Sequence, residues 1–96
     1  MNQIPTPKIS EILKEEFMIP FNLSAYALAK AIYVSGSQIQ DILSDHRKIT
    51  VDMSIRLSKF FGVSDKYFLN LQNDIDIRNA EAENSQDYKE IELIQC

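Results

Sequence analysis

Residues 24–48, SAYALAKAIYVSGSQIQDILSDHRK, decide the fold of this chain. Ser24 and Ser35 each precede a helix-forming run, and a serine hydroxyl at the N-cap position accepts a hydrogen bond from a free backbone N–H. The first run predicts a helix to about Ile32, and the second predicts a helix that ends near Ser44. Because Ala29 is small enough to let two short helices cross closely, the stretch predicts a helix–turn–helix unit.

The second helix of this unit has a polar face. Its apolar residues Ile39 and Ile42 predict the buried side. The side chains that remain outward are short or carry an amide or carboxylate, and they are Gly36, Ser37, Gln38, Gln40 and Asp41. Such side chains suit the base edges of a DNA major groove. Arg47 and Lys48 follow in the next loop, where they are expected to neutralise phosphates.

The charge distribution decides whether DNA is a plausible partner. The formal net charge of −4 argues against nucleic acid. Residues 24–66, however, contain six Lys/Arg and four Asp/Glu, whereas residues 67–96 contain two Lys/Arg and seven Asp/Glu. The acidity therefore lies chiefly near the C-terminus, and the middle of the chain can face a phosphate backbone.

The remaining apolar pattern predicts three further helices. The first lies near residues 8–18, and Pro20 disfavours helix at the residue before it. The fourth begins at Thr50 or Asp52 and ends at Gly62, which favours a left-handed C-cap. Ser64 is expected to cap the fifth, which covers about residues 65–83. With only two glycines and three prolines in 96 residues, the chain predicts an all-α fold of five helices.

The sequence divides into three parts. Residues 1–7 form an extended leader, residues 8–80 form the helix–turn–helix domain, and residues 81–96 form a short acidic C-terminal tail. The apolar residues of the tail are Tyr88, Ile91, Leu93 and Ile94. Two interpretations of the tail stay open, namely a disordered solubilising segment and an acidic segment that contacts a basic partner.

Catalysis, cofactors and metals are not expected. No Ser/His/Asp or Cys/His arrangement and no phosphate-binding glycine loop occurs. His46 is expected to be a solvated loop residue, and one histidine with the single cysteine, Cys96, does not form a metal-ligand set. That lone cysteine favours a reducing compartment, and no apolar run reaches the length of a membrane span. A cytoplasmic protein is expected.

Four segments carry a resemblance to a known family. They are KISEILKEEF, SAYALAKAIYVSGSQIQDIL, ITVDMSIRL and SDKYFLNLQNDIDIR. Together they resemble HigA-type antitoxins of the Cro/repressor-like, XRE-class helix-turn-helix family, over residues 8–78. LNLQ followed by DIR is the most family-specific part. The resemblance implies a homodimer that binds a palindromic operator before its own operon and masks a small, basic, mRNA-cleaving toxin.

The resemblance also implies positions for the DNA contacts. Those that face bases are Ser35, Ser37, Gln38, Gln40 and Asp41, and those that face phosphates are Arg47 and Lys48. Two positions depart from the family. Tyr33 replaces the usual glycine of the turn, which implies either a positive φ at an unfavourable residue or a different turn. Asp41 replaces a hydrogen-bond donor, and its carboxylate suits cytosine N4 but repels phosphates.

The fifth helix offers more apolar surface than four short helices can cover. We therefore expect dimerisation through Tyr67, Leu71 and Ile75. Two other functions remain open: a stand-alone helix-turn-helix regulator without a toxin, and a protein-interaction module that has lost DNA binding.

Overall fold

A computed structural model describes residues 6–94, which form five helices and no strand. Helix α1 comprises Ile9–Ile12 and continues as a π-helix over Leu13–Met18. The others are α2 (Ala25–Ala31), α3 (Gly36–Leu43), α4 (Val51–Phe61) and α5 (Tyr67–Lys89). The predicted all-α, five-helix fold is confirmed. None of these helices combines the length and apolarity needed to cross a membrane.

One hydrophobic core joins the five helices. Its centre is Phe68 of α5, which is fully buried. The ring of Phe17 packs edge-on against Phe68 with 4.9 Å between centroids, and it lies 5.0 Å from the ring of Phe61 in α4. Such aromatic pairs contribute roughly 0.5–1.5 kcal/mol each beyond their burial. The aromatic cluster therefore fixes the ends of α1 and α4 against the beginning of α5.

Three of the predicted N-caps are confirmed. The side chains of Ser24, Ser35 and Thr50 each accept a hydrogen bond from the backbone N–H three residues further on, at 3.0, 3.3 and 3.2 Å. Thr50, not Asp52, is thus the residue that begins α4. Gly62 ends α4 with φ of +76°, as the predicted left-handed C-cap requires.

The predicted cap of α5 is wrong. Ser64 lies in a turn before the helix, and Lys66 occupies the N-cap position without a side-chain hydrogen bond. The cap comes from α4 instead, since the buried hydroxyl of Ser54 accepts from the N–H of Leu69 at 3.1 Å and donates to the carbonyl oxygen of Asp65 at 2.7 Å. A contact between helices distant in sequence replaces the expected local one.

Helix α5 extends beyond the expected end. It reaches Lys89, with a break in helical geometry at Asn84 (φ −124°, ψ 25°). The division at residue 80 therefore coincides with no helix end, and the first part of the acidic tail is helical. Residues 81–94 are all exposed. Of the leader, residues 6–7 are non-helical, while residues 1–5 and 95–96, including Cys96, lie outside the described residues.

Candidate nucleic-acid interface

The pairing of α2 with α3 orients the predicted DNA-reading helix. Leu28 and Ala29 of α2 are at most 2% exposed, and Ile39 and Ile42 of α3 are completely buried. Burying these side chains fixes which side of α3 faces the core. The opposite side of α3 consequently carries the polar residues, and the predicted helix–turn–helix unit is confirmed.

The turn between α2 and α3 contains a left-handed residue. Tyr33 has φ of +63° and is 88% exposed. Of the two expected geometries, the turn therefore has the one with a positive φ at Tyr33. This conformation costs an L-residue roughly 1–2 kcal/mol. Arg56 of α4 compensates, because its Nη1 donates to the carbonyl oxygens of Ile32 at 2.8 Å and Tyr33 at 3.4 Å. Asp52 orients that guanidinium by accepting from its Nε at 2.8 Å.

Several of the predicted base-facing residues also build the start of α3. The Oε1 atom of Gln38 accepts from the backbone N–H of Ser35 at 3.1 Å, and the hydroxyls of Ser35 and Ser37 lie 3.1 Å apart. Gln38 retains its amide NH2 group as a donor toward solvent. Gln40 is exposed and makes no side-chain hydrogen bond within residues 6–94. Within residues 6–94, the NH2 group of Gln38 and the whole side-chain amide of Gln40 are thus left without a hydrogen-bond partner.

The other predicted contact residues lie beside partners of opposite charge. A carboxylate oxygen of Asp41 lies 3.9 Å from Nη2 of Arg47, and both side chains are nearly half exposed. An exposed pair of this kind contributes little to stability, and it places a cation beside the Asp41 carboxylate. His46 is exposed in the same loop, with Nδ1 3.4 Å from the hydroxyl of Ser44.

A contact with α5 was not predicted for the basic loop. Nζ of Lys48 donates to Oδ2 of Asp76 at 3.2 Å. Gln72 lies between this ion pair and the core, and its side chain is hydrogen-bonded to both Asp76 and the backbone of Ile49. The sequence contains one signal for this contact. Gln72 is a polar amide one turn after Phe68, on the side of α5 that faces the core.

The predicted dimerisation residues differ in exposure. Ile75 is only 9% exposed, because α5 packs against α1 and places this side chain in the core of its own protomer. Ile75 therefore offers little free surface to a second copy. Tyr67 is 36% exposed, with its ring against Phe68, and Leu71 is half-buried.

The five-helix fold and its helix–turn–helix unit match those of a known protein family. The helix-turn-helix family model HTH_3 matches residues 13–68, so the chain belongs to this family, whose members are regulators without enzymatic activity. The expected similarity to HigA-type antitoxins is confirmed. Pseudomonas aeruginosa antitoxin HigA, solved with the higBA promoter, is 36% identical with a TM-score of 0.84, covering 94% of this chain and 99% of that one.

Two further relatives extend over nearly the whole chain. Virulence-associated protein I of Dichelobacter nodosus is 42% identical over 93 residues, which are 97% of this chain and 82% of that protein. Antitoxin GraA, solved in complex with its operator, is 30% identical with a TM-score of 0.85, covering 100% of this chain and 98% of that one. The similarity thus includes α5 as well as the helix–turn–helix unit.

Proposed function

We propose that this protein is the antitoxin and transcriptional autorepressor of a toxin–antitoxin operon. It binds a palindromic operator as a homodimer and neutralises a basic, mRNA-cleaving toxin. The observation that carries the proposal is the exposed polar face of α3, held by α2 and followed by a basic loop. Further support comes from similar antitoxins whose structures contain promoter or operator DNA.

In this proposal α3 lies in the major groove. The amides of Gln38 and Gln40 contact base edges, with Ser35 and Ser37 at the same end of the helix. Asp41 accepts from the N4 amino group of a cytosine. Arg47 and Lys48 contact phosphates, which fix the register of α3 on the duplex. Nonspecific affinity comes mainly from these two cations, and sequence preference comes from the two glutamines.

Dimerisation follows from the size of the reading helix. A helix as short as α3 covers only a few base pairs, and a monomer with a locally small positive charge has too little phosphate affinity for a specific site. Two copies read two half-sites about 34 Å apart, as other helix-turn-helix dimers do. Tyr67 and Leu71 are proposed as the contact residues on α5, and the buried Ile75 supports them from within the protomer.

The acidic tail is the proposed contact with the basic toxin. Its apolar side chains are strongly exposed, with Ile91 at 72% and Leu93 at 87%. The same segment carries five carboxylates, which are Glu81, Glu83, Asp87, Glu90 and Glu92. Exposed apolar anchors among like charges suit a partner of opposite charge, whereas a purely solubilising tail needs no such anchors.

Two alternatives predict different results. A stand-alone regulator binds operator DNA but has no toxin, and an interaction module without DNA binding is compatible with Asp41 and the net charge of −4. A small basic reading frame beside this gene favours the antitoxin. Titration of the protein into a labelled duplex from the DNA that precedes its own gene tests DNA binding, and no binding at low salt favours the interaction module.

Co-expression with the neighbouring reading frame tests neutralisation. We expect that frame alone to arrest growth and the pair to grow normally. Normal growth with the neighbouring frame alone would instead favour the stand-alone regulator.

A further inference from the structure

A chain of hydrogen bonds connects the interior of the protein to the proposed phosphate-binding loop. The backbone N–H of Ile49 donates to Oε1 of Gln72 at 3.3 Å. Nε2 of Gln72 donates to Oδ1 of Asp76 at 3.1 Å, and Oδ2 of Asp76 accepts from Nζ of Lys48 at 3.2 Å. Two residues one turn apart on α5 therefore hold both the backbone and the charged end of the loop.

Gln72 is built into the core in a way that an apolar residue would not reproduce. It is 6% exposed, between the buried Phe68 and Ile75 on the same helix. Burying an amide is unfavourable unless its polar atoms are hydrogen-bonded, and both the oxygen and the nitrogen of Gln72 have partners. A leucine here would bury as much apolar surface but would leave the N–H of Ile49 without an acceptor.

We propose that Gln72 and Asp76 are positioning residues for DNA binding, which hold Lys48 where it meets a phosphate. This inference rests on the proposed operator binding. An ammonium has three donor hydrogens, so Lys48 can keep its bond to Asp76 while it donates to a phosphate oxygen. The fixed loop then binds with less loss of side-chain freedom than a mobile lysine would.

The charge of Asp76 makes the proposal testable, because the two possible roles of Asp76 predict opposite changes in DNA affinity when it is removed. If Asp76 were merely an acidic residue near DNA, its removal would reduce repulsion and strengthen binding. If it positions Lys48, its removal weakens binding although the protein becomes less acidic. Asp74 is a matched control, because it is an exposed aspartate on the same helix and forms no ion pair within residues 6–94.

The experiment compares Asp76→Ala with Asp74→Ala by titrating each into a labelled duplex from the DNA before the gene, over a range of salt. We expect Asp76→Ala to bind about tenfold more weakly and to lose about one unit of salt slope, as for the loss of one phosphate contact. Asp74→Ala should bind as well as the unmodified protein or better. Equal or tighter binding by Asp76→Ala would overturn the inference.

Two further comparisons separate positioning from a general loss of structure. In a Lys48→Ala background, Asp76→Ala should weaken binding no further, because its effect passes through Lys48. Gln72→Met should speed hydrogen exchange at the Ile49 amide, whereas Asn73→Met on the exposed side should not. An additive effect of Asp76→Ala, or unchanged exchange at Ile49, would contradict the proposed connection.

Failure of this inference and failure of the proposed function give different results. No DNA binding by the unmodified protein at low salt would overturn both. Normal binding by the unmodified protein together with normal binding by Asp76→Ala would overturn only the positioning role.

Discussion

The hydroxyl of Ser54, in the middle of α4, lies 3.1 Å from the backbone nitrogen of Leu69 and caps the first turn of α5. The same hydroxyl donates to the carbonyl oxygen of Asp65 at 2.7 Å. One buried side chain thus satisfies two backbone groups at the start of another helix. Ser58, one turn further along α4, is equally buried, but its hydroxyl has no hydrogen-bond partner within the described residues.

The stability of the protein should respond differently when each of these two serines is replaced with alanine. Ser54→Ala leaves the N–H of Leu69 without its acceptor, so we expect a loss of about 1–3 kcal/mol of stability. Ser58→Ala removes a buried group that makes no bond and should be neutral or stabilising by up to about 1 kcal/mol. Thermal unfolding followed by circular dichroism measures both. An equal loss in the two variants would contradict the capping role of Ser54.

The turn residue Tyr33 should be replaceable with a gain in stability. Tyr33→Gly keeps the left-handed conformation but removes its cost, which for an L-residue is roughly 1–2 kcal/mol, while the added freedom of the unfolded chain offsets about 0.5–1 kcal/mol. A net stabilisation of up to about 1 kcal/mol is expected. Tyr26→Gly, at an exposed position inside α2, should instead destabilise by about 0.5 kcal/mol. Urea titrations of the two variants would show opposite shifts of the midpoint.

The cations and the glutamines of the proposed interface should affect binding differently. Replacing both Arg47 and Lys48 with Ala should weaken binding to every duplex and reduce the salt slope by about two units. Gln40→Ala should change the ranking of operator variants and leave the slope nearly unchanged. Competition titrations with operator and scrambled duplexes distinguish the two effects. A uniform loss for Gln40→Ala would argue against base contact.

Truncation after Ala80 should separate partner binding from folding. Residues 81–94 are exposed, so we expect the melting temperature to change little. The association rate with the basic partner should fall, most strongly at low ionic strength, where screening is weakest. Stopped-flow mixing measures this rate. A full-length variant with glutamine at the five acidic positions of the tail is the control, because it removes the charge but keeps the segment. Unchanged neutralisation by the truncated protein would place the toxin contact in the helical body.

Leu71→Asp should disrupt the proposed dimer. Leu71 is half-buried within its own protomer, and in the proposed dimer a carboxylate at this position would be enclosed without a partner, which is strongly unfavourable. Light scattering should fall from twice the monomer mass to the monomer mass, with loss of operator binding. Ile77→Asp is the control, since Ile77 is 56% exposed on the same helix. A dimeric Leu71→Asp that still melts cooperatively would exclude this surface.

Local signals predicted most of the fold because they act through neighbouring residues. The caps at Ser24, Ser35 and Thr50 each use a backbone group three residues away. The cap of α5 was predicted wrongly because the hydroxyl comes from Ser54, 15 residues from its donor. A sequence pattern that compares residues three or four positions apart cannot reveal the hydrogen bond between Ser54 and Leu69.

The candidate site was predictable to a similar extent. The helical period predicted the exposed face of α3 and the buried Ile39. The contact of Lys48 with Asp76 was not predictable, since it spans 28 residues and depends on the angle at which α5 crosses the domain. Periodicity also assigned Ile75 to the apolar side of α5 without showing that α1 covers it in the same protomer.

The interruption at Asn84 has a consequence for where a protease first cleaves the chain. Beyond this residue the helix has only a few residues, all exposed, and a helix so short is barely stable in water. Such a segment opens with little free energy even when the core is fully folded, and proteases cleave where the backbone opens. Cleavage there would remove the last turns of α5, whereas degradation of the remaining domain still requires the core itself to open.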